Sequence, residues 1–274
     1  MIDNSRIFHI NDLEDERVLI YASYNEPQLL HYNEPDRGIF IAETPKVIDR
    51  AIAFGAKPLS FFAETGALRN EAVQSVIIKT DESVPVFEAE LSVINKITGF
   101  NLTRGLLAVF ERPYLPKANS ILEECRRVVV LEDIVNPTNM GAIFRSAAAL
   151  GMEAVLLTRG STDPFYRRAA RVSMGTVFMI PWTYLPKESC TVDILHENGF
   201  TVISMETGED SVPLSDPVLR TYEKTAVIFG AEGAGISKET LNKSDRIVSI
   251  PMQNDVDSLN VAAASAVTFW ELCR

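Results

Sequence analysis

A chain of 274 residues, 46% hydrophobic and 23% charged, is long enough for two globular domains. It holds no run near the ~18 apolar residues that a membrane span needs, and its acidic opening (Asp3, Asp12, Glu14, Asp15, Glu16) is unlike a secretory signal. A net charge of −11 argues mildly against nucleic acid as the partner. The charge is uneven, however. Residues 1 to 43 carry nine acids and three bases, whereas residues 126 to 171 carry seven arginines, no lysine and four acids. Cys125, Cys190 and Cys273 have neither metal-ligand nor redox spacing and read as reduced, buried thiols of a cytoplasmic protein. His9, His31 and His196 are scattered, so no metal site is indicated.

Taken in order, residues 1–37 read as an acidic leader with a helix around Glu26 to His31. From Gly38 strand and helix alternate: Gly38–Ala42 extended, Pro45–Phe54 helical, Pro58–Glu64 extended. Proline after Thr44 suits the first turn of a helix. Val76–Ile78 and Val84–Phe87 read as extended, Glu88–Lys96 as helical, and Leu106–Phe110 as extended again. Residues 38–112 therefore form a small α/β domain. The run Arg112-Pro113-Tyr114-Leu115-Pro116 breaks the pattern, and residues 113–120 are expected to be a linker.

Residues 121–274 restart with Arg127–Glu132, apolar enough for burial on both faces. Helix Met140–Leu150, strand Ala154–Thr158, helix Pro164–Val172, strand Val177–Trp182, helix Ser189–Glu197 and strand Thr201–Ser204 follow. Strand Ala226–Gly230, a helix from Ser237, strand Arg246–Ile250 and an Ala-rich final helix complete the pattern. This alternation implies an α/β fold with a mostly parallel sheet covered by helices on both faces.

Three strand-to-helix junctions gather polar or glycine residues, where α/β proteins bind ligands. The first, Asn136-Pro137-Thr138-Asn139-Met140-Gly141, places Asn139 at a helix cap and Arg145 near the middle of that helix. Alone, these residues read first as a cap and a solvated arginine. The second, Gly230-Ala231-Glu232-Gly233-Ala234-Gly235, runs G-x-x-G-x-G. It lacks the G-x-G-x-x-G of dinucleotide oxidoreductases, as does Val135 to Gly141, and a tight turn explains it as well. The third is Ile250-Pro251-Met252 through Ser258-Leu259-Asn260-Val261, where Pro251 ends a strand and Asp257 or Ser258 can cap the last helix.

Together and in this order, Asn-Pro-x-Asn-x-Gly-x-Ile-x-Arg-Ser-Ala, Gly-x-Glu-Gly-x-Gly-Ile-Ser and Ile-Pro-Met with Ser-Leu-Asn-Val resemble the three motifs of the SpoU/TrmH family. Tyr166 to Gly175 is similar to the intervening segment. Residues 38 to 109, with Thr98-Gly99-Phe100 and Thr103-Arg104-Gly105, resemble the ribosomal-protein-like substrate domain of many members. Asn136 stands where many members have Asp, and Ala262 where Ser is common.

The resemblance implies transfer of a methyl group from S-adenosylmethionine to a ribose 2′-hydroxyl in RNA, ribosomal RNA ahead of transfer RNA. It also implies a trefoil-knotted catalytic domain and a homodimer. Carried over by motif, Gly230, Ile250 and Leu259 line the cofactor pocket, with backbone groups and apolar walls suited to an adenosyl group. Arg145 matches the residue that the family uses for activation. A guanidinium is too weak an acid to serve as a base at neutral pH, so its expected role is to stabilise developing alkoxide. Asn139 and Asn260 would orient Arg145 or the ribose; Ser258 could do so or cap the helix. Glu232 is expected to organise its own loop by accepting backbone N–H bonds. Arg168 and Arg171, three apart on one helix, are candidates for RNA phosphates, as is Arg104; a solvated basic face is the alternative for the pair. The rival to an enzyme is a knotted module that binds RNA or protein without transferring methyl groups.

Overall fold

The structure is a computed structural model and describes residues 2–98, 105–187, 189–208, 211–254 and 256–274. In the N-terminal part, β1 (Ile7–His9), α1 (Leu19–Ala22), α2 (Glu26–Leu30), β2 (Ile39–Glu43), α3 (Pro45–Ala53) and β3 (Pro58–Glu64) are followed by α4 (Glu71–Ile77), β4 (Val86–Ala89), α5 (Leu91–Thr98) and β5 (Leu106–Glu111). Next come α6 (Ala118–Glu124), β6 (Arg127–Leu131), α7 (Pro137–Leu150), β7 (Ala154–Leu157), α8 (Arg167–Val172), β8 (Trp182–Tyr184) and α9 (Thr191–Glu197). The chain closes with β9 (Thr201–Met205), β10 (Val212–Pro213), β11 (Thr225–Phe229), α10 (Lys238–Lys243), β12 (Arg246–Ser249) and α11 (Val261–Cys273). No helix among the described residues is long and apolar enough to cross a membrane.

Two compact units result, and their boundary falls at Tyr114 and Leu115, inside the run read as a linker. Unit 1 contains residues 1–114 and also residues 165–178. Its sheet has the order β1-β4-β3-β5-β2, with β2 and β3 antiparallel to β5 and the rest parallel. The acidic leader is part of this unit rather than an appendage. Ile7–His9 pairs with Val86–Glu88 as an edge strand, and Ile10, Val18, Tyr21 and Leu29 enter the core with Phe62, Phe87 and Leu107. The acids lie between these apolar anchors, so composition concealed the pattern.

The expected boundary at residue 121 likewise misses an excursion of the chain. Phe165 stacks on Phe40 with ring centroids 5.0 Å apart, and Phe178 lies 5.2 Å from Phe165. Burial of these rings draws residues 165–178 into unit 1, each large aromatic removing well over ~100 Å² from water. For the same reason the expected strand at Val177 is a 3-10 turn over Thr176–Phe178, and β8 begins only at Trp182. Val76–Ile78, read as extended, closes helix α4 instead. Asn70 caps that helix through Ala72 N–H, and Val73, Val76 and Ile77 share its buried face. A three-residue apolar run cannot distinguish the two states. Glu88 belongs to β4 rather than to the following helix.

Unit 2, residues 115–164 and 179–274, holds a seven-stranded sheet in the order β10-β12-β9-β11-β6-β7-β8. Every pairing is parallel, as the apolar strands led us to expect. Val128, Val130, Leu156, Val202, Ala226 and Ile228 form its core with Leu122, Val192 and Leu195 from the covering helices. Helix α7 starts at Asn136, whose side chain accepts Thr138 N–H, and ends at Gly151 with φ 93°. That left-handed position favours glycine. Helix α11 packs against α7. All three cysteines are free, and burial pushes the Cys125 and Cys273 thiols above their ordinary value.

One ion pair in unit 1 yields a test. Glu43 keeps 7% of its side chain exposed and faces Arg171 Nη1 at 3.3 Å. Removal of the arginine strands a buried carboxylate. R171A should therefore lose about 2 kcal/mol in urea unfolding, and E43Q/R171A should recover most of it. Equal stability of R171A and the native chain would show that the pair contributes nothing.

Candidate active site

The carboxyl ends of β9, β11 and β12, three neighbours in the parallel sheet, open on a cavity of about 750 Å³. Such strand ends are where open α/β sheets bind ligands, because loops diverge there and leave backbone groups free. The loop after β11 folds back on itself: Gly235 N–H donates to Ala231 O at 2.9 Å. A Cβ on Gly230 would stand 2.3 Å from the Gly235 carbonyl carbon. Gly233 and Gly235 take φ 88° and 69°. The G-x-x-G-x-G spacing is thus the footprint of a doubled-back turn in which side chains have no room.

Gly230, Ile250 and Leu259 all line this cavity, together with Glu232, Ser258 and Asn260. Met205, Leu241 and Met252 add apolar wall. Among the described residues four ionisable side chains lie along it, the acids Glu206, Glu232 and Asp257 and the base Lys238. The excess of acids suits a ligand that is apolar in body and positive in charge.

Beside the cavity the three junctions meet through hydrogen bonds. Asn139 Nδ2 donates to Glu232 Oε1 at 2.5 Å, and Asn260 Nδ2 donates to the same oxygen at 2.8 Å. Asn260 Nδ2 also reaches Asn139 Oδ1 at 3.3 Å, while its own Oδ1 accepts Ala262 N–H at 3.0 Å. Several expectations change accordingly. Asn260 caps α11, in place of Asp257 or Ser258, and Asn136 caps α7, leaving Asn139 in the first turn with its side chain free for the cluster. Glu232 gathers side-chain amides from two helices, and among the described residues it accepts none of the expected backbone N–H bonds.

Arg145 is exposed and has neither a hydrogen bond nor an ion pair among the described residues. Six residues beyond Asn139 on a helix is about 9 Å along the axis and about 240° around it. Asn139 therefore turns toward Glu232 and does not orient Arg145. Ser258 is exposed at the cavity and caps no helix. In unit 1, Arg168 is exposed, Arg171 pairs with Glu43, and Arg104 lies outside the described residues.

Two acids at strand ends escaped the sequence reading. Buried Glu132 accepts Ser237 N–H and Thr240 Oγ1–H, both at 2.7 Å, and so fixes the start of α10 after the glycine turn. Glu206 accepts Thr207 N–H at 3.1 Å and Ile236 N–H at 3.2 Å. The available signal was an acid immediately after an apolar strand, Thr201–Met205.

Residues 126–270 match the model of the SpoU rRNA methylase family. A Mycobacterium bovis protein, named an uncharacterized tRNA/rRNA methyltransferase, is 34% identical across 99% of this chain and 93% of its own. An AdoMet-bound rRNA methyltransferase from Sinorhizobium meliloti superposes with a TM-score of 0.81, at 24% identity over 97% of each chain. An RNA 2′-O ribose methyltransferase superposes with a TM-score of 0.75, at 24% identity over 97% of this chain and 98% of its own. At these identities the superpositions establish the fold. The chain belongs to the SpoU family and is an RNA methyltransferase.

The double use of Asn260 is testable. N260A should lose about 1 kcal/mol of thermal stability with the helix cap. N260D can still cap but sets a second carboxylate against Glu232, so it should be less stable than N260A. Native stability in N260D would show that donation to Glu232 has no structural weight.

Proposed function

We propose that this chain transfers the methyl group of S-adenosylmethionine to a ribose 2′-hydroxyl in structured RNA, with ribosomal RNA favoured over transfer RNA. The observation that carries this reading is the joint placement of the glycine-walled cavity and the Glu232–Asn139–Asn260 cluster at the same strand ends. The cavity fits the cofactor. Its turn after Gly230 offers backbone groups in place of side chains, its walls at Ile250 and Leu259 are apolar, and acids outnumber bases. S-adenosylmethionine supplies, when bound, a methyl group on a positively charged sulfonium. Gly230, Ile250 and Leu259 would hold its adenosyl part, while Asn139, Glu232, Ser258 and Asn260 hold the rim and position the ribose.

A guanidinium is not a base for a hydroxyl proton, so Arg145 is not the proton acceptor. Its guanidinium stabilises negative charge as it develops on the ribose oxygen. The absence of an internal partner for it among the described residues supports that role, since a committed ion pair would compete. Residues 38–112 act as the RNA substrate-binding domain, with Arg168 and Arg104 on phosphates; Arg171, held by Glu43, is a weaker candidate. The catalytic domain carries the trefoil knot that its three motifs imply. The free cysteines fit a cytoplasmic setting.

The active form is a homodimer. Ala263, Val267 and Trp270 recur at helical spacing on the exposed side of α11, with Val267 44% and Trp270 59% exposed. So large an apolar side chain standing in water marks a contact surface. The native chain should sediment as a dimer at micromolar concentration and W270E as a monomer; a monomeric native chain would remove this part of the reading.

R145A tests the chemistry. It should keep its affinity for S-adenosylmethionine and lose at least about a hundredfold in RNA methylation. The product should resist alkali at one linkage, because a methylated 2′-oxygen cannot attack the neighbouring phosphate. Cofactor binding without methylation by the native chain would favour a binding module. A methyl group in an alkali-sensitive nucleotide would place it on a base.

A further inference from the structure

Among the described residues, the cavity wall has two acids that the proposed chemistry does not use, Asp257 and Glu206. Glu206 follows directly on β9, the middle of the three strands whose ends form the cavity. Each oxygen holds one backbone N–H, Oε1 that of Thr207 and Oε2 that of Ile236. A carboxylate oxygen has two acceptor sites, so each keeps one to spare. Glu206 is half-buried, whereas Glu232, Asp257 and Lys238 are exposed. Its charge is therefore screened least by solvent. It also stands against the glycine turn: a Cβ on Gly235 would lie 2.6 Å from Oε2. Two N–H bonds from backbone alone hold a negative charge at the cavity without neutralising it.

Resting on the proposed cofactor, we propose that Glu206 is the charge-selective residue of this pocket, favouring the sulfonium substrate over its neutral thioether product. The physical reason lies in what the two ligands share. S-adenosylmethionine and S-adenosylhomocysteine present the same adenosine and amino-acid groups, so hydrogen bonds to those groups cannot separate them. They differ by a methyl group and one positive charge. The sulfonium has no N–H or O–H to donate, so only a field can recognise its charge. A fixed, half-buried carboxylate supplies that field, and the product loses it when the charge leaves. Glu206 thus acts on the cofactor by position and charge, and takes no part in bond making.

The test is calorimetric titration of the full chain with each ligand. The native chain should bind S-adenosylmethionine more tightly than S-adenosylhomocysteine. E206Q should lose about tenfold in affinity for the former and less than about twofold for the latter. High salt should narrow the native preference. G235A, which disturbs the turn against Glu206 but keeps its charge, should weaken both ligands by similar factors. Equal losses for both ligands in E206Q would overturn the proposal and leave Glu206 a loop brace, with the cofactor reading intact. A native chain that binds neither ligand at millimolar concentration would overturn that reading and this proposal with it.

Discussion

The site depends on one carboxylate oxygen. Glu232 Oε1 receives Asn139 from the first turn of α7 and Asn260 from the cap of α11, residues more than a hundred positions apart in the chain. Each amide spends its oxygen and nitrogen on different partners. Asn260 gives Oδ1 to the free N–H of Ala262 and Nδ2 to the cluster, so capping the helix and fixing the loop become a single act. Asn139 is buried and would bear an unsatisfied amide without Glu232, at a cost of order 1–3 kcal/mol. The glycine turn that carries Glu232 is thereby pinned at one end by side chains. Glu132 fixes its other end through Ser237 and Thr240. Preorganisation of this kind lets a loop serve as a binding wall without ordering it anew for each ligand.

The acids around the cavity follow a division of labour set by exposure. Glu132 is buried, and its two oxygens brace Ser237 and Thr240 at the start of α10, so its effect is mechanical. Glu232 is exposed to solvent but committed to two amides. Glu206, between these extremes, keeps acceptor capacity and partial shielding. Charge that is neither neutralised by a partner nor dispersed in water acts on a ligand most effectively. A basic pocket would have opposed a sulfonium, and an all-backbone pocket would have treated substrate and product alike.

What the sequence displayed and what it concealed follow from one distinction. The central strands of unit 2 were legible because burial on both faces makes each a continuous apolar run, as at Val128–Leu131 and Ala226–Phe229; the edge strands β8 and β10, short and less apolar, were not. That Gly230, Ile250 and Leu259 come together along one cavity was legible because their motifs mark strand-to-helix junctions. Geometry within the cluster was not. Asn136, Asn139, Ser258 and Asn260 are all competent caps, and only the register of the helix decides which one spends its side chain on the backbone. The membership of residues 1–37 and 165–178 in unit 1 was concealed for another reason. Long-range burial of Ile10, Tyr21, Phe165 and Phe178 overrides local composition, and an acidic surface says nothing about the apolar residues beneath it. Arg168 and Arg171 show the same limit at one turn of helix: identical residues three apart, one solvated and one spent on Glu43.

That difference bears on how so acidic a protein can work on RNA. Affinity for a polyanion scales with the number of phosphates neutralised, and each internal ion pair removes a cation from that count. Arg171 is held by Glu43, Arg37 by Glu111 and Arg220 by Glu271. Arg145 and Arg168 are exposed and uncommitted among the described residues. With Arg171, Arg37 and Arg220 committed and a net charge of −11, nonspecific attraction to nucleic acid is weak. Recognition then falls to shape and, on the proposed reaction, to the fit of a ribose against the Glu232 cluster. A weak general field suits the proposed reaction, in which one arginine, Arg145, serves the reacting oxygen and many along the backbone are not needed.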